Sequence, residues 1–160
     1  MLDRETVREI YDRNKEMLYR LCYFHTENGP DAADALQTTL VKLMEYKGTF
    51  NSLYHERCWL IKVATNECRL IRKHWWKRTI SYEEMQEYDK QKAICQEDTI
   101  LSELLTLPVK YRTVLYMHYY EGYSLVELSR LTGVNESTLR SRLMRGRKLL
   151  KIAIDDTRRG

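Results

Sequence analysis

Gly122-Tyr123-Ser124-Leu125-Val126-Glu127-Leu128-Ser129-Arg130-Leu131-Thr132-Gly133-Val134-Asn135-Glu136-Ser137-Thr138-Leu139-Arg140 is the stretch that decides the fold. Ser124 followed three residues later by Glu127 is a capping box, in which a hydroxyl and a carboxylate satisfy the free amides at a helix start. Leu125, Leu128 and Leu131 give that helix its apolar face, and Ser129 is small where a second helix must cross closely. Gly133 takes the sharp turn with a positive φ, Val134 plugs the core between the helices, and Asn135 caps the second helix. Small residue, glycine, valine and cap in that order are the parts of a helix-turn-helix.

In such a motif the exposed start of the second helix enters the major groove of DNA. This places Glu136, Ser137, Thr138, Arg140, Ser141, Arg142 and Arg145 as candidate DNA-binding residues. Arginine can pair with guanine edges, while serine and threonine suit bases or phosphates. Arg145, Arg147 and Lys148 lie further along and suit phosphate.

Outward from this motif, few helix breakers (6 Gly and 2 Pro in 160 residues) and an abundance of Leu, Lys, Arg and Glu imply long helices. The length suffices for one ordinary domain or two small ones. The net charge of +4 says little, but its distribution says more. Arg140, Arg142, Arg145, Arg147, Lys148 and Lys151 form one acid-free basic block, and Arg69, Arg72, Lys73, Lys77 and Arg78 form a second. Between them lies an acidic stretch with Glu83, Glu84, Glu87, Asp89, Glu97 and Asp98. Two basic patches split by acid imply two contacts with a polyanion.

Residues 4–26 read as one helix, with Val7, Ile10, Leu18, Leu21 and Cys22 at helical spacing. Asn28-Gly29-Pro30 breaks it. The next helix runs to about Tyr46, with Ala33, Leu36, Leu40 and Leu43 on one face and Gly48 as its C-terminal cap. A third runs from about Tyr54 to Arg78. Ile61, Ala64, Cys68, Ile71 and Trp75 form its core stripe, and Lys62, Asn66, Arg69, Lys73 and Trp76 a polar, basic stripe suited to phosphates and to stacking on bases. Residues 79–98 read as a linker. Ile100, Leu101, Leu104 and Leu105 begin a short helix ended by Leu107-Pro108, and Pro108 starts another reaching Tyr120. The expected architecture is all-α: two small helical domains, 1–80 and 99–160, joined by an acidic linker over 81–98.

The cysteines Cys22, Cys58, Cys68 and Cys95 lack paired spacing and read as reduced thiols. Without a C-x2-C pair, neither a metal nor a cofactor is expected. The N-terminus has no apolar signal region, and no run approaches the length of a membrane helix, so the expected location is cytoplasmic. His25, His55, His74 and His118 are scattered. With no nucleophile–base pair and no phosphate loop, an enzyme or a small-molecule substrate is not expected.

Both halves resemble bacterial RNA polymerase sigma factors of the extracytoplasmic-function (ECF) group. Leu107-Pro108, Tyr119 to Ser124, Glu127-Leu128-Ser129, Gly133-Val134, Thr138-Leu139 and Ser141-Arg142-Leu143 resemble their region 4. Asp34-Ala35-Leu36-Gln37, then Trp59-Leu60 and Ala64-Thr65-Asn66, resemble region 2. The resemblance implies that Asp34, Gln37 and Thr38 dock on the clamp of core RNA polymerase. It further implies that Lys62, Asn66, Arg69, Lys73 and Trp76 engage and open a promoter −10 element, and that the second helix of the C-terminal motif reads −35 duplex. It implies an anti-sigma protein as a frequent partner. Three positions depart from the pattern: Thr38 replaces an acid, Leu40 a Phe, and Gly146 an Ala, the last weakening its helix by very roughly 1 kcal/mol. The competing reading is a stand-alone helix-turn-helix regulator that binds an operator without polymerase.

The acidic linker, on this reading, limits non-specific association of the free protein with DNA. Replacing Glu83, Glu84 and Glu87 by Gln should tighten binding to mixed-sequence duplex; unchanged binding in a filter or anisotropy assay would refute the idea.

Overall fold

The computed structural model describes residues 1–73 and 99–159. Among these residues the regular structure is helical, and the chain divides into two compact units, Met1–Glu87 and Tyr88–Gly160.

The N-terminal unit contains α1 (Arg4–Thr26), α2 (Gly29–Met44) and α3 (Leu53–Lys73), each packed on the other two. Asp3 starts α1: its carboxylate accepts from the Thr6 amide at 2.8 Å. Glu27 stops α1 by adopting the left-handed region at φ 50°. Asn28 then starts α2, its side chain accepting from the Asp31 amide at 2.9 Å, with Pro30 in the first turn, where its missing N–H costs no hydrogen bond. Ser52 caps α3 through its hydroxyl, which accepts from the His55 amide at 3.0 Å.

Ile10, Leu18, Leu21, Phe24, Leu43, Leu60 and Ile61 fill the core between these helices. Three expectations need correction. The buried face of α2 is Ala32, Ala35, Leu36, Thr39 and Leu43, and Ala33 is exposed. The helix ends at Met44, and Gly48 does not have the positive φ of a helix cap. Its role is steric: a Cβ there would stand 2.7 Å from the Tyr46 hydroxyl, so the missing side chain makes room for that ring. The last residues of the expected third helix, including Trp75 and Trp76, and the linker lie outside the described residues.

Two ion pairs tie α3 to its neighbours. Glu56 accepts from Arg13 at 2.8 and 2.6 Å and from Asn14 at 2.9 Å. Glu67 accepts from Lys42 at 2.5 Å. Burial pushes the Glu56 carboxyl up, but the bonds from Arg13 and Asn14 and the charges of Arg13 and Arg57 outweigh it, leaving Glu56 below the usual carboxylate range. Cys22, Cys58 and Cys68 are free thiols; the bond to Cys22 and burial push the Cys68 thiol far up, so it stays protonated.

The C-terminal unit contains α4 (Thr99–Leu105), α5 (Val109–Leu115) continuing into a π-helical turn (Tyr116–Tyr120), α6 (Leu125–Thr132) and α7 (Glu136–Arg159). Pro108 precedes α5, and the buried Arg112 donates back to the carbonyls of Leu105 and Leu107, which closes the α4–α5 corner. Leu104, Leu115, Tyr116, Leu128 and Leu139 are the deepest residues of this core.

Because the folded-state pKa of Glu56 is depressed, its stabilisation is present above the unfolded value of about 4.5 and is lost as pH falls through the lower folded value. All three tryptophans lie in the first half of the chain, at positions 59, 75 and 76, so their fluorescence can follow urea unfolding there. Stability should drop as pH falls below about 4.5, and Glu56→Gln should flatten that drop. At pH 7 the substitution should cost about 1–2 kcal/mol, kept small because the Arg13 side chain is 43% exposed.

Candidate nucleic-acid interface

The turn between α6 and α7 is built from local hydrogen bonds. Ser124 and Glu127 close the capping box reciprocally, at 3.1 and 3.3 Å. Gly133 carries φ 74°, a conformation a side chain would strain, and its amide donates to the Ser129 carbonyl at 2.9 Å. The Ser129 hydroxyl donates across the turn to the Val134 carbonyl at 2.7 Å. Val134 itself is half-buried, which corrects its expected role as a core plug: the serine hydroxyl, with Leu128 and Leu139 behind it, closes the corner. Asn135 accepts from the Ser137 amide at 3.4 Å at the start of α7.

This geometry leaves Ser137, Thr138, Arg140, Ser141 and Arg145 exposed on the first turns of α7, with Glu136 and Arg142 half-buried. Glu136 and Arg140, one turn apart, pair at 3.0 Å. Opposite them, Leu139, Leu143 and Gly146 face the core. Gly146 explains how close α5 lies: a Cβ there would meet Leu115 Cδ1 at 3.0 Å and Tyr111 Cβ at 3.4 Å.

Sequence reasoning missed two partners of the basic residues. The Arg145 guanidinium beside Tyr111, together with Lys110, whose ammonium lies 4.9 Å from the centre of the Tyr111 ring, holds that phenol below its ordinary range. Arg147 donates from Nε to the Tyr119 hydroxyl, its cation 5.4 Å from the centre of the Tyr119 ring. Tyr119 and Arg147 also line a cavity of about 640 Å³ whose floor is Leu104, Leu115 and Leu150. These tyrosines lie 34 and 28 residues from their arginines, a separation that carries no periodic signal.

In the N-terminal unit, Lys62, Asn66, Arg69 and Lys73 are exposed along one side of α3. The acids of that helix, Glu56 and Glu67, are both buried and committed to Arg13 and Lys42, so none faces the stripe. Trp59 heads the same side, in a half-buried cluster in which Tyr46 stacks on Phe50 at 4.7 Å and Trp59 lies 4.9 Å from Tyr46. On α2, Asp34 and Gln37 are exposed, and Thr38 is half-buried with its hydroxyl bonded back to the Asp34 carbonyl. Among the described residues no His, Cys, Asp and Glu side chains converge as metal ligands, and no helix is long and apolar enough to cross a membrane.

Comparison with known proteins matches residues 10–77 to sigma-70 region 2 and residues 97–150 to sigma-70, region 4, together about three quarters of the chain. The chain belongs to the sigma-70 family. RNA polymerase sigma factor SigV of Bacillus subtilis is 29% identical over 143 residues, covering 88% of this chain and 86% of that protein. ECF RNA polymerase sigma factor SigW of the same organism is 27% identical over 171 residues, covering 96% and 91%. Among solved structures, CnrH in complex with the cytosolic domain of CnrY superposes with a TM-score of 0.63 at 19% identity over 96% of this chain and 90% of that one. The sigma factor RpoE in complex with the anti-sigma factor NepR from Bartonella quintana gives 0.56 at 17% identity, covering 91% and 98%. At these identities the two structures establish the shared fold. Region 2 of the family falls on the unit with the α3 stripe, and region 4 on the unit with the helix-turn-helix.

The close approach at Gly146 sets two effects against each other. Alanine gains about 1 kcal/mol of helix propensity but overpacks a filled site, which costs about 1–3 kcal/mol. Gly146→Ala should therefore lose stability, by about 1 kcal/mol net. A raised melting temperature would mean that Leu115 yields and that the contact is looser than described.

Proposed function

We infer that this chain is an ECF sigma subunit: it binds core RNA polymerase, selects promoters and directs transcription initiation at them. The observation that carries this reading is the pairing, in one family member, of two separate basic helix faces, that of α3 with its acids turned inward and that of α7 with Glu136 as the one acid of its first turns. On α7, Glu136, Ser137, Thr138, Arg140, Ser141, Arg142 and Arg145 would read the −35 element as duplex, through base edges and phosphates. On α3, Lys62, Asn66, Arg69 and Lys73, with Trp76 beyond the described residues, would engage the −10 element as it opens. An unstacked base needs an aromatic surface to offset a few kcal/mol of lost stacking, and the Trp59, Tyr46 and Phe50 cluster at the head of the stripe offers one. Asp34, Gln37 and Thr38 would dock on the polymerase clamp.

The chain itself carries out no catalysis on this reading; the polymerase supplies it. No metal, cofactor or small-molecule substrate is required, and the protein works in the cytoplasm. An anti-sigma protein is a third partner on this reading, in keeping with the complex of RpoE with the anti-sigma factor NepR.

In vitro transcription with purified bacterial core polymerase and genomic DNA fragments tests the reading. The expected result is discrete transcripts that require this protein and disappear with Arg140→Ala combined with Arg142→Ala. A specific footprint by the protein alone, with no core-dependent initiation, would instead establish a stand-alone regulator whose Thr38 departure has abolished docking.

A further inference from the structure

Arg145 and Arg147 are two residues apart on α7, and at 100° per residue they point to opposite flanks of the helix. Gly146 between them faces inward, against α5. The chain that passes beneath this glycine packs Tyr111 of α5 against it and carries Tyr119, in the π-helical turn, to Arg147, whose Nε donates to the Tyr119 hydroxyl. π-Helical turns are rare and frequently mark functional positions. We propose that Tyr119 is a positioning residue that holds Arg147 on one flank of the recognition helix, facing one phosphate strand of a bound duplex, with Arg145 on the opposite flank facing the other. The proposal rests on the duplex-reading role given to α7 above.

Three physical arguments support it. A helix with its side chains is about 10–12 Å across, close to the roughly 12 Å width of the major groove, so the flanks of an inserted helix face the two opposite strands. A phenol is a neutral acceptor that orients a guanidinium without cancelling its charge. Arg140, by contrast, is paired with the carboxylate of Glu136 at 3.0 Å. Arginine also carries five donors, so a bond to one tyrosine leaves others for a phosphate. Restricting these long side chains before binding removes part of the entropy cost of ordering them on DNA. Tyr119 is 53% exposed, which keeps its arginine within reach of a ligand.

The test is a salt titration of the full-length chain on a mixed-sequence duplex of about 20 base pairs, because phosphate contacts are independent of sequence and each adds about one unit to the slope of log affinity against log salt. Arg145→Ala and Arg147→Ala should each lower the slope by about one. Tyr119→Ala should lower it by part of that amount, and should add nothing when Arg147 is already alanine. Tyr119→Phe keeps the ring beside Arg147 and should fall between Tyr119→Ala and the unsubstituted chain. A merely structural tyrosine would weaken binding without this dependence on its arginine. Unchanged slopes in the tyrosine variants, or a tyrosine effect that persists in full without the arginine, would overturn the proposal while leaving the DNA-binding role intact. An unsubstituted chain that binds the duplex without salt dependence would overturn both.

Discussion

The C-terminal unit depends on how closely α5 can lie against α7, and that distance is set at Gly146. The missing Cβ lets Leu115 and Tyr111 settle against the helix backbone. Glycine is a poor helix residue, so its place in the middle of a 24-residue helix has a cost that the packing must offset. The close approach seals Leu115, Leu139 and Leu143 into one core. It also sets Tyr111 of α5 against Gly146, and the π-helical turn that follows carries Tyr119 to Arg147.

A parallel constraint shapes the N-terminal unit. Helix α3 carries only two acids, Glu56 and Glu67, and both are turned inward to meet cations from α1 and α2. Removing the cation of either pair leaves its buried carboxylate poorly solvated, so the pairs fix the register of the three helices as well as stabilising them. The consequence on the outside is electrostatic: Lys62, Arg69 and Lys73 present their charge with no carboxylate of their own helix beside them. The same inward pairing that holds the bundle together thus generates the basic face that a polyanion can use.

How much of this was legible in the sequence depends on range. The caps and the turn of the corner between α6 and α7 were legible, because capping box, positive-φ glycine and second cap lie within a dozen residues and each answers to local backbone chemistry. The boundaries of α1 were equally plain. The face of α2 was placed one residue off at Ala33, since runs of alanine beside alanine give periodicity little to act on. Gly48 looked like a helix cap because glycine has two uses, conformational freedom and lack of volume, and only the position of the Tyr46 ring reveals the second. Val134 was credited with closing a corner that the Ser129 hydroxyl closes. In the candidate site, the exposed residues of α7 could be named from spacing. The bond of Arg147 to Tyr119 could not, because it exists only once α5 and the turn after it have packed beside α7.

The length of α7 follows from the same logic. At about 1.5 Å per residue it extends roughly 36 Å, far more than a groove-reading turn or two requires. Its buried residues, Leu139, Leu143 and Gly146, lie in its first half, Leu150 and Ile154 beyond them are half-buried, and near its end the Thr157 hydroxyl donates to Glu103 of α4 at 2.7 Å. The first half is therefore seated by its inner face while its outer face stays exposed, and the second half adds a tie to α4. A short helix held only at its base would sample many directions, and binding would have to select one at an entropic cost. A helix seated along its inner face and tied again near its far end presents its first turns at one angle before any ligand arrives, so the contacts made there can be spent on discriminating between sequences.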